Sequence, residues 1–170
     1  MNYKRTLAMN STKKLALAGM FLALCVVGSM VKIMGSIALD SLPAFVGTVI
    51  LGPEIGFFLG ALGHLITAIL SGFPLTLPVH LVTGLLMGFC MFCYGYARKK
   101  IPKRYFLNRW SSMLLAYLIN VPLSLFLLYP LLGQVTYFLF LPLSIGAVVN
   151  IVLAEILLTL LEKSVTKIFE

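Results

Sequence analysis

Acidic residues are scarce in this sequence, which contains five Asp and Glu among its 170 residues. No two of them are spaced as a carboxylate pair for general acid and base catalysis. Charge of either sign is limited, since 11% of the residues are charged, 61% are hydrophobic and the mean hydropathy is +1.05. A water-soluble domain could not cover so much apolar surface. The sequence therefore predicts an integral membrane protein.

Catalytic signatures are also missing. The sequence contains no H-E-x-x-H, no G-x-S-x-G and no P-loop, so we expect no enzyme activity, and the chain itself cannot hydrolyse ATP. Cys90 and Cys93 are spaced as C-x-x-C, but no second Cys or His pair completes a metal site. Because all three cysteines lie in apolar runs, we predict that they are buried hydrophobic residues. We expect neither a metal nor a cofactor.

Long linkers rich in Pro, Ser or Gly are absent as well, so residues 1–170 are predicted to form one domain. Apolar runs of about 20 residues can cross the hydrocarbon layer. We predict six spans, at 15–34, 37–51, 54–71, 75–97, 111–132 and 137–161. The stretch 42–70 is too long for one span and short for two. Gly52 and Pro53 near its middle predict a turn, although one kinked helix is the alternative.

The 13 basic residues decide between these alternatives. They lie before the first span, after the last span and, six of them, at 98–109, with only Lys32 left over. Loops rich in Lys and Arg stay in the cytoplasm, and only six spans place all three clusters on one side. We therefore predict an all-α fold of six transmembrane helices with both termini in the cytoplasm. The net charge of +8 reflects this topology rather than a nucleic-acid-binding surface.

Polar residues inside the spans are the candidate functional residues. His64 and His80 flank the short connection 71–74, so we expect their helices to be neighbours and their rings to share one depth. They either contact a ligand or bond to backbone carbonyls. Asp40 is expected at or just inside the outer boundary. Asn120, near mid-membrane, either contacts the ligand or bonds between helices. Asn150, closer to the cytoplasmic side, is expected to form hydrogen bonds between helices. Glu155 is expected to pair with a basic group near the cytoplasmic boundary.

Small residues predict close helix contacts. Ala16, Gly19 and Ala23 form a stripe on the first helix, which either packs inside the bundle or contacts a partner helix. Gly56, Gly60 and Gly63 form a similar stripe that we assign to packing within the bundle.

The chain resembles the substrate-specific S components of energy-coupling factor (ECF) vitamin transporters. The resemblance covers nearly the whole chain and lies in the basic N-terminus, Lys-Lys-Leu-Ala-Leu-Ala-Gly of the first helix, Leu-Gly-Pro-Glu-Ile-Gly at 51–56 and Gly-Ala-Leu-Gly-His at 60–64. It implies a binding protein of the bacterial cytoplasmic membrane that partners a transmembrane coupling subunit and two ATPases. It also implies that Ala16, Gly19 and Ala23 contact the coupling subunit, and that a vitamin-like ligand binds near the outer face.

The segment 63–80 looks most like the subgroup that takes α-ribazole, the benzimidazole nucleoside used in cobalamin synthesis. The aromatic ring of such a ligand could stack on Phe73, Tyr129 or Tyr137. Polar groups for the ribose are offered by the following residues: Asp40, His64, His80 and Asn120. Pantothenate with Lys32 as its partner, cobalamin or another vitamin, and a membrane scaffold without transport activity are the alternatives.

Overall fold

The computed structural model describes residues 10–33, 37–100 and 107–168. The helices are α1 Ser11–Met30, α2 Ser41–Leu51, α3 Pro53–Leu70, α4 Leu77–Lys100, α5 and α6 Val135–Ile168. Helix α5 consists of Leu107–Leu118, a π-helical segment Ile119–Leu123, and Ser124–Leu132. Five helices, all except α2, are long and apolar enough to cross a membrane. The prediction of a helical membrane protein is confirmed.

The turn between α2 and α3 lies where the sequence predicts it. Gly52 ends α2 with a φ of 104°, a value that glycine adopts easily and other residues rarely do. Pro53 is the first residue of α3, where its missing N–H has no helical partner to lose. The single kinked helix is thereby excluded.

The two predicted spans before this turn are wrong at their boundaries. The first helix ends at Met30 rather than at residue 34, and the second begins at Ser41 rather than at residue 37. Between them β1 (Lys32–Ile33) and β2 (Ile37–Ala38) form a two-residue antiparallel ladder. The carbonyl of Gly28 accepts N–H bonds from Val31 and from Leu39, each at 3.1 Å, and this pulls the chain out of the helix.

Helix α2 is short but central. Its 11 residues extend only about 16 Å, against roughly 30 Å for the hydrocarbon layer. Most of its residues are buried, and it contacts α1, α3, α4 and α6. Asn150 of α6 supports its beginning, because Oδ1 accepts the N–H of Leu42 and Nδ2 donates to the carbonyl of Ala38, both at 2.9 Å. The predicted interhelical bonding of Asn150 is confirmed.

Helices α3 and α4 pack closely through glycines. A Cβ added at Gly60 would lie 2.7 Å from the carbonyl oxygen of Met87, and one at Gly88 would lie 2.9 Å from that of Phe57. The predicted packing role of the α3 glycine stripe is confirmed. Cys25 and Cys90 are buried and Cys93 is half-buried, as their apolar surroundings predict.

Successive long helices run in opposite directions, so the connections 71–76 and 133–134 lie at one end of the bundle. We call this end the histidine end. The opposite end, which carries Arg98, Lys99 and Lys100, is called the basic end. Lys4, Arg5, Lys103 and Arg104, which contribute to the predicted orientation, lie outside the described residues.

Candidate ligand-binding site

Three rings form a row that leads inward from the histidine end. Phe73 lies in the connection between α3 and α4, and its ring centroid is 5.7 Å from that of His80. His80 lies in the first turn of α4, with its centroid 5.4 Å from that of His64 on α3. His64 is six residues from the end of α3, at a depth of about 9 Å. The predicted neighbourhood of the two histidines is confirmed, but His80 lies nearer to the end of its helix than His64 does.

One nitrogen of this row has no hydrogen-bond partner among the residues that the structure describes. His64 Nε2 and His80 Nδ1 are 3.3 Å apart and share a hydrogen bond. The other ring nitrogen of His80, Nε2, is buried without a hydrogen-bond partner, and the residue is only 8% exposed. Leaving such a group unpaired costs about 1–3 kcal/mol. A ligand atom bonded to Nε2 would remove this cost, whereas the purely structural reading leaves it unexplained.

The row ends at a cleft that contains Asp40. The cleft is open on one side and has a volume of about 10 Å³, which is room for one water-sized group. Its lining consists of Asp40, Ser41, Ala44, Leu59, Gly60, Gly63, His64 and Met87. Gly60 and Met87 each lie ten residues from the histidine end of their helix, at a depth of about 15 Å. Asp40 shares this cleft with His64 and lies inside the bundle, because the ladder brings the chain inward before α2 begins.

Backbone strain is present at Phe73. Its φ of 51° is a left-handed value, which is unfavourable for a bulky residue and is held here directly before Pro74. The preceding Gly72, with a φ of 71°, takes the same region without that cost. Strain of this kind persists only where surrounding contacts maintain it, often at ligand-binding positions. In this loop it keeps the Phe73 ring against His80.

The other predicted ligand residues lie apart from the row. Asn120 belongs to the π-helical segment of α5 and is half-buried, and its side chain forms no hydrogen bond with another described residue. Tyr129 and Tyr137 are 46% and 70% exposed, and their rings contact each other at 6.1 Å across the turn from α5 to α6. The described residues show no ring contact between these tyrosines and the histidines. Their sequence positions predict the correct end of the bundle but not the direction of the side chains.

Several cleft residues were missed by the sequence analysis. Ser41 and Met87 carried no signal, because a serine after a loop and a methionine in an apolar helix are both ordinary. Gly60 and Gly63 were assigned to packing only, yet they also line the cleft. A glycine stripe that lies one helical turn before a membrane histidine was the available signal.

The small-residue stripe of α1 faces away from the bundle. Ala16, Gly19 and Ala23 are all exposed, and among the described residues no other helix comes within 4 Å of a Cβ built on Gly19. Only 11% of the most apolar 18-residue stretch of α1 is buried, against 33% to 44% of the corresponding stretches in the other long helices. Internal packing therefore does not account for this stripe.

A second polar cluster lies near the basic end. Glu155 of α6 accepts a hydrogen bond from the Tyr94 hydroxyl at 2.6 Å and forms an ion pair with Arg98 at 3.2 Å. Arg109 bonds to Thr159 at 2.7 Å and to Glu162 at 2.9 Å. The predicted pairing of Glu155 with a basic group is confirmed. These contacts join α4, α5 and α6.

Comparison with known proteins agrees with this architecture. Residues 13–162 match the family model described as "ECF transporter, substrate-specific component". No curated protein and no solved structure gave a significant match. The matched segment contains the ring row, the cleft and the exposed stripe of α1. The chain belongs to the family of substrate-specific components of ECF transporters, which are multi-pass membrane subunits of transporters and not enzymes.

Proposed function

We infer that this protein binds a vitamin or vitamin precursor, α-ribazole as the best candidate, at the site formed by Phe73, His80, His64 and Asp40. The observation that carries this proposal is the buried Nε2 of His80, which has no partner within the described structure. A benzimidazole nucleoside fits the chemistry of the row, since its ring can stack on Phe73 and its nitrogen and hydroxyl groups can bond to histidine and carboxylate. The likeness of segment 63–80 to the α-ribazole subgroup supports the same ligand.

The decisive experiment is identification of the bound ligand. The protein is purified in mild detergent, co-purifying small molecules are identified by mass spectrometry, and the emptied protein is titrated calorimetrically with α-ribazole and with pantothenate. We expect saturable binding of α-ribazole and none of pantothenate. Binding of pantothenate alone would replace the proposed ligand. A protein that binds neither and carries no small molecule would favour the scaffold alternative.

Orientation is the second part of the proposal. The histidine end faces the outside of the bacterial cytoplasmic membrane, and both termini and the 98–109 loop face the cytoplasm, because the basic clusters require it. With Cys93→Ser as background, a cysteine in place of exposed Lys100 should resist a membrane-impermeant maleimide applied to intact cells. A cysteine in place of Gln134, in the opposite turn, should react. Reaction at position 100 would contradict the orientation.

Coupling is the third part. The family implies a transmembrane coupling subunit and ATPase subunits as partners, and we assign the exposed face of Ala16, Gly19 and Ala23 to the coupling subunit. Gly19→Leu and Ala23→Leu should abolish uptake in cells while leaving the ligand affinity of the isolated protein unchanged, because the added bulk keeps a partner helix at a distance. Leu24→Phe adds bulk on another exposed face and serves as the control. Loss of binding together with uptake would contradict the assignment.

A further inference from the structure

We propose that the exposed face of α4 near the basic end binds one anionic phospholipid, with the lipid phosphate on Lys100 and an acyl chain along the apolar residues of the same face. The face consists of Leu85, Phe89, Phe92, Tyr96 and Lys100, and we call it the lipid face. All five residues are exposed, and their spacing of three and four residues aligns them along one side of the helix. The lipid face lies outside the ring row and the cleft, so the proposal does not depend on which vitamin the protein binds.

The cationic end of the lipid face is built from stacked side chains. The rings of Phe92 and Tyr96 are stacked, with their centroids 6.2 Å apart and their planes inclined by 16°. Lys100 Nζ lies 5.6 Å from the centroid of the Tyr96 ring, which is within the range of a cation–π contact. This contact holds the ammonium group on the same side of α4 as the apolar residues.

Two exposed aromatic residues mark the level of the membrane interface. Cys90 of α4 donates to the carbonyl of Ala116 of α5 at 3.3 Å. Because the two helices run in opposite directions, the residues six positions nearer the basic end, Tyr96 and Trp110, lie at one depth. Tyrosine and tryptophan are enriched where the hydrocarbon layer meets the headgroups. The boundary of the hydrocarbon layer is therefore placed near Tyr96.

Distances along α4 match the layers of a bilayer on either side of this boundary. Lys100 lies four residues beyond Tyr96, about 6 Å along the axis, and the headgroup layer is about 5–7 Å thick on each side. Leu85 lies 11 residues inside Tyr96, about 16 Å away, which is close to half of the roughly 30 Å hydrocarbon layer. The ammonium group is thus level with lipid phosphates, and the apolar residues extend over the length of one leaflet.

The pairing of charges at the basic end favours an anion at Lys100. The arginines of this end form ion pairs with Glu155 and Glu162. The contact that the structure shows for Lys100 is the Tyr96 ring, and no acidic side chain in the described part of the chain forms an ion pair with it. Basic residues beside a membrane attract anionic headgroups. A lipid phosphate would supply the negative charge that the protein does not place there.

The size of the side chains favours a lipid over a second helix as the occupant. Close contacts between membrane helices need small residues. Helix α4 uses its small residues on another side, where a Cβ added at Gly84 would lie 3.1 Å from the Leu65 side chain and one at Gly88 would lie 2.9 Å from the carbonyl oxygen of Phe57. The lipid face carries no residue smaller than leucine. Such a surface suits acyl chains, which adapt to bulky side chains.

Native mass spectrometry of the purified protein in mild detergent tests the proposal with three probes. Dioleoylphosphatidylglycerol is anionic, dioleoylphosphatidylcholine has the same chains and no net charge, and glycerol 3-phosphate has an anionic phosphate and no chains. We expect one phosphatidylglycerol to bind about five- to twenty-fold more tightly than phosphatidylcholine, because each lysine beside an anionic headgroup contributes a factor of about five. Glycerol 3-phosphate should not bind.

Three variants locate the site. Lys100→Gln should reduce the preference for phosphatidylglycerol about five-fold. Tyr96→Leu keeps the surface apolar but removes the ring from under the ammonium, so it should reduce the preference about two- to five-fold. Lys13→Gln is the matched control, because it removes the same charge from an exposed position on another helix, and it should leave the preference unchanged.

Four results would overturn the proposal. The first is equal affinity of the wild type for the two lipids, a comparison that needs no variant to fold. The second is an equal loss in Lys13→Gln and Lys100→Gln, which would show attraction to the overall positive charge. The third is tight binding of glycerol 3-phosphate, which would assign Lys100 to a soluble anion. The fourth is a dimer that excludes the lipid and disappears in Tyr96→Leu, which would assign the lipid face to a second copy of the chain.

Discussion

The two polar clusters of this protein differ in how completely their groups are paired. Near the basic end, Glu155 has a tyrosine hydroxyl on one oxygen and an arginine on the other. At the histidine end, His80 has an unpaired nitrogen and Asp40 has no ion-pair partner among the described residues. Inside a membrane, where water cannot compensate, a fully paired cluster stabilises the fold. An incompletely paired cluster indicates a place where a ligand supplies the missing partner.

The largest expected effect is a loss of stability, without a loss of ligand affinity, when the buried ion pair at the basic end is broken. The Arg98 and Glu155 side chains are 11% and 9% exposed, and Arg98→Ala leaves the buried carboxylate with only the more distant Arg109, at 3.9 Å, as its cation. The free energy of unfolding should therefore fall by up to about 3–5 kcal/mol. Thermal unfolding in detergent measures this loss. Ligand affinity of the remaining folded protein should be unchanged.

The pair between Arg109 and Glu162 serves as the matched control. Its side chains are 38% and 34% exposed, so Glu162→Gln should cost no more than about 1 kcal/mol. Equal losses in Arg98→Ala and Glu162→Gln would contradict the structural role of the buried pair. A loss of ligand affinity in Arg98→Ala would erase the distinction between the two clusters.

A smaller effect is expected at the histidines, where ligand affinity should fall more than stability. His80→Ala and His64→Ala each remove one bond to the ligand, which should weaken affinity by about ten- to a hundred-fold, or 1–3 kcal/mol. Each substitution also removes the hydrogen bond between the two rings, so the free energy of unfolding should fall by only about 0.5–1.5 kcal/mol. His80→Phe should be at least as harmful to affinity, since it also fills space. Calorimetric titration and thermal unfolding of the same samples test this prediction. Wild-type affinity combined with low stability would show that the histidines have a structural role.

The smallest expected effect concerns the strained loop. Phe73→Asn should raise the free energy of unfolding by up to about 1 kcal/mol, because asparagine accepts a positive φ more readily, while ligand affinity falls with the loss of the ring. In a chain of this size such a gain corresponds to roughly 2–4 °C in unfolding temperature. Phe73→Leu keeps the strain and loses the ring, so it should weaken binding without any gain in stability. Lower stability with intact affinity in Phe73→Asn would show that this position serves packing alone.

Local signals in the sequence predicted much of this molecule. Gly52 and Pro53 determine their turn through backbone preferences that belong to these two residues. His64 and His80 could be paired because only a short connection separates their helices. The β-ladder and the start of α2 could not be predicted, because they depend on Asn150, which is 108 residues beyond its partner Leu42. For the same reason the neighbours of Asp40 could not be predicted. Asn120, Tyr129 and Tyr137 could be placed by depth, but the direction of a side chain around its helix depends on neighbours that a single sequence does not show.

The bond between Leu42 and Asn150 has a consequence for how the protein is made. Helix α2 is too short to enter the bilayer as an independent segment, and the N–H of Leu42 finds its partner on α6, which is synthesised much later. During synthesis α2 can enter only as a hairpin with α3, and its beginning stays unsatisfied until α6 arrives. The centre of the bundle, together with the Asp40 cleft, is thus completed only after the rest of the chain has been inserted.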